Sequence, residues 1–266
     1  MKFSAFTKPW PHISINELCE KISAWGYDGV EFPLRPGYQV EPENAEKGLP
    51  DLAKKLSDYG LSVMSVATSF ENTIENTEKI FSGCQAAKIP VIRIMTFSNL
   101  KNGYINYEQE YRKFLETLLS YSKRFGVKVA LQNHFMSAFF NSMELRFLLD
   151  KFDPQYIGAC WDAGHSGLSG EIAEKALDII WDKLITINLK NAYWKQVNGP
   201  ECEQAIWEPY FTAGRYGMAS FPDIITYLKK RGYTGDICLP IEYTDEESVE
   251  RLAPEELRYV KDLFKN

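Results

Sequence analysis

VKVALQNH, residues 127–134, is one of four stretches in which apolar side chains alternate along a strand-like run with a polar residue near its end. The other three stretches are IGACWD (157–162), LITINLKN (184–191) and DICLPIEY (236–243). The polar residues are Gln132, Asp162, Asn188 and Glu242. Because side chains alternate across a strand, each run has one apolar face for packing and one face that ends in a polar group. Such strands, separated by helical segments, predict a parallel barrel with a pocket at its carboxyl end.

Strand-like and helix-like signals alternate eight times along the chain. In the first half, strands are predicted at 3–7, 29–33, 62–69 and 91–97, and helices at 14–26, 50–60, 77–88 and 107–125. In the second half, the four stretches above are followed by helices at 142–152, 170–182, 221–231 and 254–264. This alternation favours βαβ units, and eight of them favour closure. We therefore predict an α/β fold, a (β/α)8 TIM barrel that forms a single domain over residues 1–266.

The composition argues against several functional classes. The chain has 36 acidic and 30 basic residues, a net charge of −6, and its Lys and Arg residues form no basic stripe. No apolar run approaches the length that crosses a membrane. The five cysteines are scattered without C-x-x-C spacing, a pattern typical of free thiols in a reducing compartment. We expect a cytoplasmic protein that binds neither nucleic acid nor a membrane.

One connection, from Ala192 to Ser220, is unusually long for a compact domain and is rich in aromatic residues. Such connections are usually functional. The faces of Trp and Tyr stack well on sugar rings, and the same residue types dominate oligomer interfaces. We expect Trp194 and Trp207 to contact substrate, and we expect the connection to serve as a lid and as a contact in a homodimer.

Several motifs are similar to those of a known family. They are GYDGVEF (26–32), LQNH (131–134), WDAGH (161–165), NLKNAYW (188–194) and the run from Gly214 to Tyr243. Over nearly its full length the chain resembles the sugar phosphate isomerase/epimerase superfamily, the xylose-isomerase-like TIM barrels. The resemblance implies a divalent metal held by Glu, Asp, His and Glu at the fifth to eighth strands, with a further His and an Arg that contact substrate. The residues that match this pattern are Asp162, Glu242, His165 and Arg215.

Two positions depart from the family pattern, because Gln132 stands where Glu is usual and Asn188 where His is usual. A neutral amide cannot accept the proton that the family's Glu transfers at carbon. The oxygen donors of Asp162, Glu242 and the two amides carry less negative charge than the family's usual ligands. The set also lacks the imidazole that suits transition metals. We therefore predict that a divalent cation, Mg²⁺ or Mn²⁺, binds at these four residues weakly or not at all.

Strand parity places other polar residues near the same cavity. His134 follows Gln132 at i+2 and is a candidate general acid or base, or else a structural hydrogen-bonding group. Lys190, on the inward face of the seventh strand, either supports a developing oxyanion or neutralises Asp162. Glu31 ends the second strand and is a candidate for binding a sugar hydroxyl or for a salt bridge at the barrel mouth.

Two functional classes remain open. The first is a sugar or polyol isomerase or epimerase that transfers a proton next to a carbonyl. Its catalytic residues would be Glu242, His165, His134 and Lys190, and its substrate-binding residues Glu31, Arg215, Trp194 and Trp207. The second is a catalytically impaired barrel that keeps carbohydrate binding. Its catalysis would be impaired because the absent Glu is the residue that isomerisation needs most. A metal-independent lyase or dehydratase on a sugar derivative is a further alternative, and each class implies a small-molecule carbohydrate as partner.

Overall fold

A closed barrel of parallel strands forms the centre of the computed structural model, which describes residues 1–68, 76–96 and 103–265. The strands of the described residues are β1 (Phe3–Phe6), β2 (Gly29–Pro33), β3 (Ser62–Ala67), β4 (Val91–Met95), β5 (Lys128–Gln132), β6 (Ile157–Asp162), β7 (Leu184–Asn188), β8 (Asn191–Gln196), β9 (Trp207–Thr212) and β10 (Ile237–Leu239), and all but β8 and β9 belong to the barrel. β1 to β7 pair in chain order, and β10 closes the barrel between β7 and β1. The predicted (β/α)8 barrel is confirmed. The predicted ends of the third and fourth strands, at Ser69 and Phe97, lie outside the described residues.

Helices cover the outside of the barrel. They are α1 (Ile15–Trp25), α2 (Ala45–Ser57), α3 (Thr77–Ala86), α4 (Tyr104–Phe125), α5 (Ser142–Leu149), α6 (Ala163–Leu168), α7 (Ala173–Ile180), α8 (Phe221–Lys230) and α9 (Val249–Lys265). Local sequence sets the bounds of α1, because Ser14 and Glu17 form a reciprocal capping box and Gly26 ends the helix at a φ of 82°. Among these helices, none has the length and apolar character to cross a membrane.

Three helices begin earlier than the sequence predicts, α4 by three residues and two others by five. α2 begins at Ala45 and α9 at Val249, whereas the predicted starts were Pro50 and Pro254. Proline is favoured in the first turn of a helix and costs a hydrogen bond further in, so a proline is a reasonable predicted start. Here α2 and α9 each have more than one turn before the proline. Ala45 and Val249 are buried, so packing against the barrel outweighs the lost bond.

The second half of the chain carries two elements that the strand and helix pattern did not predict. The short helix α6 follows β6 directly, with the Asp162 carboxylate as its N-cap. The connection from Ala192 to Ser220 contains most of a β-hairpin, in which β8 and β9 pair antiparallel outside the barrel. The hairpin is joined to the segment after β10, because Phe211 N donates to Thr244 Oγ1 at 2.8 Å and Thr244 N donates to Phe211 O at 3.0 Å.

The core lies between the strands and the helices. Large side chains such as Phe32 of β2 and Trp161 of β6 are fully buried there. Helices approach closely where residues are small, and a Cβ on Gly83 of α3 would lie only 2.3 Å from the carbonyl oxygen of Ala45. The strand positions of the other parity hold buried polar residues, and these form the site.

Candidate active site

The four strand-end residues meet at the carboxyl end of the barrel. Gln132, Asp162 and Asn188 are the last residues of β5, β6 and β7, and Asp162 lies opposite Asn188 in the register of the two strands. Glu242 comes three residues after β10 ends. A cavity of about 60 Å³ lies among them. Its lining residues include Gln132, Asn188, Glu242, His134, His165 and Lys190.

Arg93 of β4 crosses the floor of the site and holds Glu31. Its Nε donates to Glu31 Oε1 at 2.9 Å, and its second guanidinium nitrogen lies 2.8 Å from Oε2. Ser65 also donates to Glu31 Oε1 at 2.9 Å. Both charged residues are almost fully buried, and Glu31 lies beside the cavity without lining it. Glu31 therefore forms a salt bridge, as one of its two predicted roles requires. The other role, contact with substrate, stays a prediction.

Gln132 connects this ion pair to Asp162. Its amide oxygen accepts a hydrogen bond from Arg93, and its amide nitrogen donates to Asp162 Oδ2 at 2.7 Å. Arginine has donors only, so the orientation of the amide is determined. Asp162 Oδ1 accepts from the backbone N–H of His165 at 3.1 Å. Burial raises the pKa of Asp162 to about 6, against the opposing effect of the Lys190 ammonium.

Glu242 is held between two lysines. Lys190 Nζ lies 2.7 Å from one carboxylate oxygen, and Lys8 Nζ binds the other. Burial alone would raise the pKa of Glu242, but the two ammonium groups hold that pKa well below its usual range. A carboxylate with so low a pKa is a poor proton acceptor. The role of Glu242 as the base stays a prediction that this geometry does not favour.

His134 and His165 form a pair of neutral imidazoles. Their ring centroids lie 4.0 Å apart. Burial, followed by the Lys190 charge, lowers the pKa of His134 to about 4, and burial lowers the pKa of His165 well below its ordinary value. His134 Nδ1 lies 2.6 Å from the carbonyl oxygen of Phe135, so Nδ1 carries the proton and Nε2 is left with a free lone pair. His134 Nε2 is thus unprotonated and free to accept a proton, although its lowered pKa makes it a weaker base than an ordinary imidazole.

Some buried polar atoms of the site have no hydrogen-bond partner within the described residues. These atoms are both ring nitrogens of His165, Oδ1 of Asn188 and Nε of Arg35. His165 is fully buried and Asn188 is 1% exposed, and both line the cavity. Leaving a buried polar group unsatisfied costs about 1–3 kcal/mol. Such atoms at the wall of a cavity are suited to bind the hydroxyl groups of a ligand.

An aromatic wall closes one side of the site. Phe211 of β9 lies beneath Lys190, with the ammonium 4.0 Å from the ring centroid, and it contacts Phe135 edge-on. Trp194 lies behind Phe135 and donates its indole N–H to Leu168 O at 2.9 Å. The hairpin therefore reaches the site through Phe211.

The structure does not bring three of the predicted substrate-binding residues to the cavity. Arg215 is exposed and stacks on Tyr259, 3.8 Å from the ring centroid. Trp207 is 54% exposed on β9, and Trp194 contacts Phe135 but does not line the cavity. Their contact with substrate stays a prediction, as does the role of the hairpin as a lid and dimer contact.

Sequence reasoning gave no site role to several residues that line the cavity. They are Phe6, Lys8, Arg35, Arg93, Met95 and Pro240. Lys8 and Arg35 each come two residues after a barrel strand ends, so the rule that selected the strand-end tetrad would have found them if extended by two residues. Arg93 lies inside β4, two residues before the strand ends, so a rule based on strand ends does not select it.

The tetrad does not fit a divalent metal in this arrangement. Its side chains offer six oxygen atoms, and five of these accept a hydrogen bond from a protein donor. The donors are Arg93 to Gln132, Gln132 and the His165 backbone to Asp162, and Lys8 and Lys190 to Glu242. Only Asn188 Oδ1 lacks a donor among the described residues. The described residues also contain no cluster of three His, Cys, Asp or Glu side chains suited to a metal.

Comparison with known proteins agrees with this architecture. The family model of the xylose isomerase-like TIM barrel matches residues 19–263, so the chain belongs to that family. It is also similar to inosose dehydratase from Mesomycoplasma hyopneumoniae, with 21% identity, covering 86% of this chain and 82% of that protein. Inosose dehydratase from Bacillus licheniformis is 23% identical, with coverage of 86% and 85%. Among solved structures, 3-keto-D-glucoside 4-epimerase from E. coli superposes with a TM-score of 0.74 at 13% identity, covering 98% of this chain and 99% of that one.

Proposed function

We propose that the protein is an enzyme that removes the proton next to the carbonyl of a polyhydroxylated ketone, a sugar or cyclitol derivative, and then expels water. The observation that carries the proposal is the neutral His134–His165 pair in the cavity that Lys190 also lines. The curated relatives named inosose dehydratase support the same reaction class. The proposed reaction is therefore the lyase or dehydratase alternative from the sequence analysis. It shares with the isomerase alternative the removal of a proton next to a carbonyl.

The proposed step balances with the groups present. His134 Nε2 takes the proton from carbon, and the electron pair of the broken C–H bond forms an enolate. The ammonium of Lys190 stabilises the negative oxygen, and Asn188 Oδ1 and His165 bind hydroxyl groups. The enolate then re-forms the carbonyl, the electron pair of its carbon–carbon double bond forms a new double bond to the next carbon, and that carbon loses its hydroxyl with the electron pair of the C–O bond. His134 returns its proton to that hydroxyl, so one water leaves and the imidazole is neutral again.

Isomerisation or epimerisation is the second candidate, because it begins with the same enolate. In that case a proton returns to carbon and no water is lost. Inverting the carbon needs a proton donor on the other face of the substrate, and Glu242 is a carboxylate that lines the cavity. Its two bound lysines keep it ionised, so it has no proton to give. This makes dehydration the better supported outcome.

One experiment separates the candidates. The protein is incubated in deuterium oxide with an inosose and, separately, with a set of ketohexoses, and the products are followed by mass spectrometry and NMR. Dehydration gives a conjugated product that has lost one water, whereas isomerisation or epimerisation gives a product of unchanged composition with deuterium at carbon. Ligand binding without any exchange at carbon would mean that the barrel binds carbohydrate but has lost its chemistry.

The matching variant is His134→Ala. It should lower the rate of proton removal by roughly 10²- to 10⁴-fold, the usual contribution of a positioned base. His12→Ala is the control, because His12 is exposed and does not line the cavity. An unchanged rate in His134→Ala would remove His134 from the reaction.

A further inference from the structure

We propose that the ammonium group of Lys190 takes the place that a divalent cation has in a site built on this strand-end tetrad, so that catalysis needs no metal. The catalytic part of this inference rests on the proposed function, because Lys190 can stabilise an enolate oxygen only if the reaction forms an enolate. Its structural part, the exclusion of a metal by Lys190, stands independently of the reaction. The two parts are tested by different measurements.

Lys190 is fixed at the middle of the site. It follows Asn188, the last residue of β7, by two positions, so it continues on the same inward parity. Its side chain is almost fully buried, with Glu242 Oε2 at 2.7 Å on one side and the Phe211 ring centroid at 4.0 Å on another. An ammonium group has three N–H donors, and within the described chain one of them has a protein acceptor. The others are available to a ligand oxygen in the cavity.

The oxygens that would bind a metal are arranged around cations of the protein. Arg93 binds the amide oxygen of Gln132, and Lys190 and Lys8 each bind one oxygen of Glu242. A metal ion at this place would have to displace all three cationic groups from their acceptors. Arg93 and Lys190 would then lie buried beside a dication without their partners, whereas the exposed Lys8 would only lose its carboxylate partner to the metal.

The charge around the cavity points the same way. Its cationic lining residues are Lys8, Arg35, Arg93 and Lys190. The carboxylates at or next to the cavity are Glu242, Asp162 and Glu31, and Glu31 is bound by Arg93. These four cations outnumber the three carboxylates, so a dication would add charge of the wrong sign. Replacing Gln132 by Glu would place the new carboxylate against Arg93, where it forms an ion pair.

Restoring the family's ligands should therefore fail to create a metal site while Lys190 is present. The test uses four proteins: the native chain, Lys190→Met, the double variant Gln132→Glu with Asn188→His, and the triple variant that adds Lys190→Met to the double variant. Each is purified without chelator, analysed for metal, and titrated calorimetrically with MnCl₂ alone. A matched control triple variant carries Gln132→Glu, Asn188→His and Lys195→Met in place of Lys190→Met. Lys195 is an exposed residue of β8. Thermal unfolding of every variant shows that it is folded.

The native chain and the double variant should bind Mn²⁺ weakly, and the triple variant should bind it about 10- to 100-fold more tightly than the double variant, the usual range for a group next to metal ligands. The control triple variant should bind like the double variant. A native chain that carries one transition metal, or a double variant that binds as tightly as the triple variant, would overturn the exclusion of metal by Lys190. If the triple variant does not fold, Lys190→Gln replaces Lys190→Met in the same comparison.

The catalytic part has its own readout. Lys190→Met should lose proton exchange at carbon, and Lys190→Arg should keep a measurable fraction of it, because a guanidinium keeps the charge. Added Mn²⁺ should not restore Lys190→Met. Full activity of Lys190→Met without metal would overturn the catalytic role of Lys190 and leave the metal titrations unaffected. If the native chain processes none of the substrates, the proposed function fails while the Mn²⁺ comparison still decides the exclusion.

Discussion

The imidazole rings of His134 and His165 lie 4.0 Å apart between centroids, although the two residues follow different strands of the barrel. Both side chains are held neutral by burial and by the nearby charge of Lys190. They differ in their partners. His134 has one nitrogen fixed by a backbone carbonyl, whereas neither nitrogen of His165 has a hydrogen-bond partner among the described residues. We therefore expect chemistry from His134 and ligand recognition from His165.

His165→Phe tests this division of roles. The substitution keeps an aromatic ring of similar size beside Phe135 and removes two unsatisfied buried nitrogens, so we expect folding stability to stay equal or to rise by about 1 kcal/mol. Ligand affinity should fall, because the hydroxyl partner is lost. Urea unfolding measures stability, and calorimetric titration with whichever inosose or ketohexose the protein processes in the deuterium oxide experiment measures affinity. Lower stability with unchanged affinity would mean that His165 is a structural residue.

Arg93→Met tests the buried ion pair. The variant leaves the Glu31 carboxylate buried without its cation, and we expect a loss of roughly 3–5 kcal/mol of folding stability in urea unfolding. The double variant Arg93→Met with Glu31→Gln should be more stable than Arg93→Met alone, because the uncompensated charge is gone. Equal stability of the single and double variants would contradict an energetically coupled pair.

Glu256→Gln tests a pH dependence outside the active site. Glu256 of α9 is buried and accepts the N–H of Gly214 at 2.8 Å, and burial raises its pKa from 4.5 to about 7. Between pH 4.5 and 7 the folded chain keeps a proton that the unfolded chain releases, so this group lowers stability as the pH rises through that window. The full effect is on the order of 3 kcal/mol above pH 7.

Glu256→Gln should therefore be more stable than the native chain at pH 8, and this advantage should shrink as the pH falls toward 5. Thermal or urea unfolding at several pH values measures it. Glu255→Gln, at an exposed position of the same helix, is the control and should show no such trend. If the difference in stability between Glu256→Gln and the native chain is the same at pH 8 and at pH 5, the raised pKa of Glu256 is contradicted.

The barrel and the position of the tetrad follow from local sequence. Alternating side chains define a strand whatever the rest of the chain does, and the carboxyl ends of parallel strands meet. Asp162 and Asn188 lie opposite each other for this reason, and the departures at Gln132 and Asn188 were visible in the sequence.

The contacts of the tetrad did not follow from sequence, because they join residues far apart in the chain. Lys8 reaches Glu242 across the closing seam between β1 and β10, and Arg93 reaches both Glu31 and Gln132 from β4. No periodicity within one segment carries that information. The early starts of α2 and α9 have the same origin, since burial against other elements outweighs the local effect of proline.

The β8–β9 hairpin lies outside the barrel, yet Phe211 connects it to two charged residues of the cavity, Lys190 and Glu242. The ring contacts Lys190, and the backbone of the same residue pairs with Thr244, two positions after Glu242. Changes in the length or sequence of the hairpin can therefore reach the cavity without altering a barrel strand. Such an attachment separates the part of the protein that must be preserved for folding from a part that selection, in nature or in the laboratory, can vary to accept new substrates.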